Sequence, residues 1–335
     1  MAHGATILGC AARVLGAQER AFFADADPWG FILFARNVET PDQVRRLTAD
    51  LREAVGRDAP VLIDQEGGRV ARMRPPNWRE WPAPLDMVAA AGAAAAQVMY
   101  LRYRIIAAEL RALGIDVNCV PCADIAHPDT HPVLHNRCYG FDPASVTEIA
   151  RSVAQAHLDG GVLPVIKHIP GHGRATLDSH KALPRVRATA EALRASDFAP
   201  FRALADLPLG MSAHVVFEAF EENQPATTSP DMIRLIRNEI GFQGLLMSDD
   251  ISMQALRGSV ASRSTAARAA GIDVILHCNG DLAEMQAVAA AAGQLAPKAV
   301  KRATKALDRR NLAETVDIAG LEAELGALLK GGAHG

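Results

Sequence analysis

Short apolar runs and longer amphipathic stretches alternate along this chain from one end to the other. Eight runs read as strands, at residues 5–11, 31–35, 61–64, 116–121, 162–167, 209–213, 245–249 and 272–277. Most are continuously apolar rather than alternating, as expected of strands covered on both faces. Between them, residues 41–55, 87–113, 143–159, 189–204, 230–240 and 282–292 repeat apolar positions every three or four residues and read as helices. Thr40-Pro41, Asp142-Pro143 and Ser229-Pro230 each set a cap residue before a proline at the first helical position. Alternating strand and helix predict an α/β fold with a parallel sheet, and eight units favour a closed (β/α)8 TIM barrel over an open doubly wound sheet. The stretch from Pro297 to Leu329 predicts extra C-terminal helices outside the barrel. No low-complexity linker divides residues 1–335, so the chain is expected to be a single domain.

Composition narrows the function classes without choosing one. Among 335 residues, 49% are hydrophobic, enough for a large core, and the formal net charge of −3 leaves no basic footprint for nucleic acid. No G-x-G-x-x-G follows the first strand, which weakens a dinucleotide-binding reading. The five cysteines, Cys10, Cys119, Cys122, Cys138 and Cys278, are odd in number and scattered, so no disulfide framework is expected. Cys119 and Cys122 have C-x-x-C spacing, but they lie in a strand-like run and are expected to be core thiols. No basic n-region precedes the apolar start, and no apolar run is read as a membrane span. A cytoplasmic protein with no membrane partner is the expectation.

The polar residues gather where a barrel enzyme needs them, at the C-terminal ends of strands. Asp64 to Arg69 and Arg72 follow the third strand, and Asp124, Asn136 and Arg137 follow the fourth. Lys167 and His168 close the fifth, His214 the sixth, and Ser248-Asp249-Asp250 the seventh. The strand starts read as mostly apolar or Gly. Carboxylates and cations on one rim suit a ligand with many hydroxyls, such as a sugar. Glycoside hydrolysis needs an acid at the leaving oxygen and a carboxylate at the anomeric carbon. Asp249 or Asp250 can be that carboxylate. Side chains alternate across a strand, so only one is expected to face the pocket, the other supporting a loop or capping a helix near Ser252. Asp178 and His180 form an i, i+2 carboxylate–imidazole pair able to shuttle a proton near neutral pH. Their loop contains Gly171 and Gly173, which are expected to let it swing.

Lys167-His168-Ile169-Pro170-Gly171-His172-Gly173, followed by Asp178-Ser179-His180, resembles the signature of bacterial β-N-acetylglucosaminidases of glycoside hydrolase family 3. Asp64-Gln65-Glu66-Gly67-Gly68-Arg69, Ser248 to Met253 and Gly30 to Asn37 extend the likeness over nearly the whole chain. It is to the single-barrel members, since the chain is too short for a second α/β sandwich. The resemblance implies Asp249 as nucleophile, His180 as acid/base and Asp178 as its partner. It implies that Asp64, Arg72, Arg137, Lys167 and His168 bind the terminal sugar, with no metal and no organic cofactor. The implied reaction retains anomeric configuration through a covalent glycosyl-enzyme. The implied substrate is N-acetylglucosamine β-1,4-linked to anhydro-N-acetylmuramic acid, with or without peptide, in peptidoglycan recycling by a monomer or weak homodimer. Ile251, His135 and Cys138 depart from the family's usual residues.

Three other readings compete. A metal-dependent hydrolase could use His168, His172, His180, His214 and Asp249 as ligands, though no His-x-His opens the first strand. A phosphorylase could admit phosphate, since an imidazole acid repels that anion less than a carboxylate does. A non-catalytic sugar-binding barrel would need neither Asp249 nor the Asp178/His180 pair.

Overall fold

In the computed structural model, which describes residues 3–179, 182–310 and 316–332, the eight expected strands run parallel around one axis. They are Gly4–Gly9, Pro28–Leu33, Val61–Ile63, Val117–Asn118, Leu163–Ile169, Leu209–Ser212, Leu245–Met247 and Ile275–His277. The eighth pairs with the first, Thr6 opposite Ile275 and Leu8 opposite His277. The seam between the seventh and eighth is held by a parallel bridge from Met247 to Val274. There the Ser248 N–H donates to the Val274 carbonyl at 3.1 Å and the Asp273 N–H to that of Leu246 at 2.9 Å. The (β/α)8 barrel is thus nearly continuous. Outside it, Arg185–Val186 and Val216–Phe217 form a small parallel ribbon.

Helices Pro41–Val55, Pro143–Asp159 and Leu282–Ala292 occupy the spans the apolar spacing predicts. Their caps are as expected: Thr40 accepts from the Gln43 N–H, and Asp142 from those of Ala144 and Ser145. The span predicted at 87–113 is instead two helices, Pro84–Ala91 and Ala95–Arg111, separated by a 3-10 turn at Gly92, where φ is +53°. Residues 189–204 likewise divide into Ala190–Ala195 and Ala199–Ala203. Helices Ala17–Ala26 and Val260–Ala270 were not expected. The first buries only Glu19 and Phe23, and the second buries Ser264, Ala267 and Ala270, so neither shows a large apolar stripe. No helix starts near Ser252, where the chain makes turns.

One further expectation needs correction and another has two exceptions. By length and composition alone, Pro84–Arg111 is apolar enough to cross a membrane. It is a core segment, however: Ala95–Arg111 packs on Pro143–Asp159, and its Arg102 and Arg104 are buried. The strand starts, read as mostly apolar or Gly, include two buried aspartates. Asp116 and Asp273 are buried beneath the fourth and eighth strands, the first paired with Arg310 at 2.6 Å and the second with Arg237 at 2.7 Å. These ion pairs stitch the bottom of the barrel to its helices. At the C-terminal end, Pro297–Leu307 lies against the seventh strand and Ile318–Gly332 covers Pro84–Ala91 and Ala95–Arg111. They are the extra helices expected after the eighth unit.

Candidate active site

The segment after the third strand is anchored before it presents any charge. Gln65 is fully buried, and its side-chain oxygen accepts from the backbone N–H groups of Arg72 (2.9 Å) and Met73 (3.1 Å). Asn118, at the end of the fourth strand, accepts from the Gln65 N–H at 2.9 Å and donates to its carbonyl at 3.2 Å. Gly67 turns the chain at φ +101°, against Arg102, leaving no room for a Cβ. Asp64 and Glu66 are thereby fixed on the same side of an extended segment.

A chain of alternating charge runs through these carboxylates. Asp64 accepts from Arg72 Nη2 at 2.9 Å and from Lys167 Nζ at 3.0 Å. Lys167 also reaches Glu66 at 2.6 Å, and Glu66 takes both prongs of Arg137 at 2.9 and 2.8 Å. Burial alone would raise the Asp64 carboxyl, but Lys167 and then Arg72 outweigh it and hold it well below the usual carboxylate range. Burial likewise opposes ionisation of Glu66, yet Arg137 and Lys167 bring it down to about 2. Burial works against the Lys167 ammonium too, and Asp64 and Glu66 more than restore it. Asp64, Glu66 and Lys167 are therefore all charged at neutral pH. Arg72 also stacks over the Phe34 ring, 4.8 Å from its centroid.

The fifth strand carries Lys167 and His168 near its C-terminal end, both buried. His168 Nδ1 lies 2.7 Å from Asp124 Oδ2, so the carboxylate fixes the tautomer with Nδ1 protonated. Asp124 also accepts the His172 N–H at 2.6 Å and is fully buried. It supports the two histidines instead of lining the pocket, a correction to the polar-rim reading. Burial and then the neighbouring His168 push the His172 imidazole down to about 4. His172 Nε2 contacts Ser179 Oγ at 3.3 Å.

The adjacent aspartates just after the seventh strand divide their tasks. Both border the cavity. Asp250 spends its carboxylate on the Ser252 N–H (3.1 Å), the Ser252 hydroxyl (2.7 Å) and the Cys278 N–H (3.2 Å). It supports a loop, one of its two expected roles, while its own N–H orients Asp249 by donating to Oδ1 at 2.8 Å. His214 is a prop: it bonds to Thr227 and to the Asp250 carbonyl, and burial lowers its pKa.

The long loop after the fifth strand is less free than its glycines suggest. A Cβ on Gly173 would run into the Ile125 carbonyl, and the Gly173 carbonyl accepts from Thr130 Oγ1 at 2.5 Å. The His131 N–H bonds to the Ala175 carbonyl at 3.1 Å, and Arg174 pairs with Asp197 at 2.7 Å. Gly173 serves close packing, and residues 171–175 are pinned. Further on, Ser179 borders the cavity, and its carbonyl accepts from the Ala255 N–H at 3.2 Å. The stretch preceding His180 is thus tied to the turn that follows Asp249. His180 itself lies outside the described residues. Asp178 is described, and its charge acts on Arg69.

Asp64, Arg72, Arg137, Lys167, His168 and Asp249 all line one cavity of about 240 Å3. That is below the ~300–1,000 Å3 typical for drug-sized ligands and suits a single ring. Sequence reasoning did not single out Glu66, although its i+2 spacing from Asp64 was a usable signal. It also missed the apolar wall of Phe34, Met211, Met253 and Leu276. Among the described residues, His168, His172, His214 and Asp249 do not bring their donor atoms together as a metal site. Among the described residues, the donor atoms that converge are those of Cys122, Asp124 and His168.

Residues 15–309 match the family described as glycosyl hydrolase family 3 N terminal domain. A protein named beta-hexosaminidase from Alkalilimnicola ehrlichii is 35% identical over 83% of this chain and 82% of its own. The glycoside hydrolase family 3 beta-N-acetylglucosaminidase from Paenibacillus sp. superposes with a TM-score of 0.85 at 30% identity, covering 97% of this chain and 67% of that one. The native NagZ from Neisseria gonorrhoeae gives 0.84 at 26% identity, over 100% of this chain and 99% of that one.

Proposed function

The chain belongs to glycosyl hydrolase family 3 and is an enzyme of the β-hexosaminidase type, and from that premise we propose that it is a retaining exo-β-N-acetylglucosaminidase acting on cell-wall fragments. The observation that carries this reading is the convergence of Asp249 with the Arg72–Asp64–Lys167–Glu66–Arg137 chain on one cavity of about 240 Å3. A pocket of that size takes one terminal sugar, so cleavage proceeds from the chain end.

Asp64 has one cation on each oxygen and keeps lone pairs for sugar hydroxyls. Lys167 and Arg72 donate alongside it, and His168, with Nδ1 protonated toward Asp124, offers Nε2 as an acceptor. Arg137 has committed Nε and Nη2 to Glu66, so its other terminal nitrogen is what remains for substrate. Asp249 attacks the anomeric carbon as the bond to the leaving oxygen breaks. His180, partnered by Asp178, gives its proton to that oxygen. The same imidazole then takes a proton from water, whose oxygen displaces Asp249 and restores the original anomeric configuration. The bond from Ser179 to Ala255 supports this pairing, because it holds the acid-bearing stretch beside the turn after Asp249.

The substrate we assign is N-acetylglucosamine β-1,4-linked to anhydro-N-acetylmuramic acid, with or without peptide, met in the cytoplasm during peptidoglycan recycling. The single catalytic domain acts as a monomer or weak homodimer. Mass spectrometry of products from a purified anhydromuropeptide, with and without inorganic phosphate, tests the assignment. Free N-acetylglucosamine is expected under both conditions. Sugar 1-phosphate would make the protein a phosphorylase, and an uncleaved muropeptide would remove the substrate.

A further inference from the structure

Four lysine and arginine side chains border the sugar pocket, and the reaction above accounts for three. Arg72, Lys167 and Arg137 are committed to Asp64 and Glu66. The fourth, Arg69, is exposed and lines the same cavity. Among the described residues it forms no ion pair, and its side chain makes one hydrogen bond, from Nη2 to the Val133 carbonyl at 2.8 Å. The turn that carries it is stiff. Gly67 and Val70 exchange backbone hydrogen bonds at 3.0 and 3.2 Å, which sets Arg69 in a two-residue tip. Gly68 enters that tip at φ +55°, with Ala83 where a Cβ would be, so the paired glycines build the turn that presents the arginine. Arg74 Nη2 braces the tip by donating to the Gly68 and Arg69 carbonyls at 3.1 Å each. Val133, which also borders the cavity, belongs to the segment whose Thr130 and His131 hold the Gly173 and Ala175 carbonyls. Through that segment Arg69 is joined to the loop that carries the acid.

A pocket for one ring takes the terminal sugar whole, so an exposed group on its rim meets the leaving group. In the substrate assigned above, the leaving group is a muramic unit. Its lactyl ether stands on the carbon next to the linking oxygen, so the lactyl carboxylate is the first charge outside the bond that breaks. A guanidinium with donors to spare matches a carboxylate through two parallel N–H bonds. We propose that Arg69, at the tip of the Gly67–Val70 turn, forms a subsite for the leaving group and binds the lactyl carboxylate of the muramic unit. The free acid is then preferred over a substrate whose lactyl carboxyl is capped as an amide, as it is when a stem peptide is attached. The inference rests on the glycosidase reading and adds to it which leaving group is favoured. The contact exists before and during bond cleavage alike, so it acts on KM and leaves kcat to Asp249 and His180.

The test compares two forms of the disaccharide of N-acetylglucosamine and anhydro-N-acetylmuramic acid, one with a free lactyl carboxylate and one with its N-methylamide. The bond to be cleaved is the same in both. At pH 7 and low salt the parent should favour the acid in kcat/KM by roughly fivefold or more, mostly through KM. Added NaCl should erode that preference, because the contact is exposed. Arg69→Gln should bring the ratio near unity, Arg69→Lys should keep part of it, and Arg69→Glu should make the amide the better substrate. A parent that cleaves both alike overturns the subsite. So does an Arg69→Gln variant that slows both and preserves their ratio, since that is what a merely structural arginine would do. Cleavage of neither disaccharide removes the substrate assignment and the subsite together, whereas equal cleavage removes the subsite alone.

Discussion

Glu66 illustrates how much of this pocket rests on charges that never touch a substrate. It is 1% exposed and faces two cations, Lys167 and Arg137. Removing it leaves both buried with one anion fewer between them. Glu66→Ala should therefore cost about 3–5 kcal/mol in urea unfolding at pH 7. A loss under about 1 kcal/mol would mean that water or Asp64 compensates. The reacting groups call for a different pattern. Asp249→Ala should lower kcat by roughly 10^3-fold or more with an unchanged circular dichroism spectrum. His180→Ala should slow a disaccharide by about 10^2–10^4-fold and an activated aryl glycoside far less, because the latter needs little proton donation. Equal losses on both would reduce His180 to a loop anchor. At this scale the sequence exposed Asp64, Arg72, Lys167, His168 and Asp249 through their positions at strand ends. Asp124 occupies the same kind of position and was misread as pocket-lining. Its direction is set by His168 and the His172 backbone, contacts made 44 and 48 residues away.

At the scale of elements, the helix Pro143–Asp159 does more than cover the sheet. Its His157 is fully buried, accepts from the Asn118 amide at Nε2 (3.0 Å), and donates from Nδ1 to the Val153 carbonyl at 2.9 Å. Asn118 in turn clamps Gln65, so the helix reaches the charged segment in two steps. Burial pushes the His157 imidazole down to about 4 from 6.5. Between those values the unfolded chain binds a proton that the folded ring refuses, so stability falls as pH drops. The effect amounts to at most about 3 kcal/mol for this ring. His157→Gln should be less stable than the parent at pH 7.5, yet lose less of its melting temperature between pH 7 and 5. Parallel melting curves for the two proteins would refute the assignment. The loop after the fifth strand yields another test. Gly173→Ala meets the Ile125 carbonyl, and should shift the residues ahead of His180 and lower kcat more than it raises KM. Pro-capped helices with large apolar stripes were legible, whereas Val260–Ala270 was not, because its buried face is serine and alanine. Gly173 was misread because a glycine required for close approach looks the same in sequence as one kept for freedom.

Over the whole molecule, eight apolar runs alternating with helices pointed to the barrel, since closing eight parallel strands into one covers both faces of every strand. The means of closure was not legible: the bridge from Met247 to Val274 depends on curvature accumulated over all the strands. The ion pairs beneath the barrel, such as Asp273 with Arg237 and Arg302, were equally hidden. Their partners come from separate elements that only the folded chain brings together. At the opposite rim, Asp64 and Glu66 are already neutralised by lysine and arginine. Hydrolysis should accordingly survive exhaustive dialysis against EDTA with kcat/KM unchanged. A loss restored by added Mg2+ or Zn2+ would make a metal part of the reaction.

The same rim has a practical consequence for ligand design. Arg72, Lys167 and Arg137 outnumber Asp64 and Glu66 in the charged chain beside the cavity, whereas Asp249 follows the seventh strand. An iminosugar that carries its ammonium at the ring-oxygen side of Asp249 gains attraction there. Moving that nitrogen beside Lys167 or Arg137 sets it against a fixed cation, so the position of a single basic atom should decide potency.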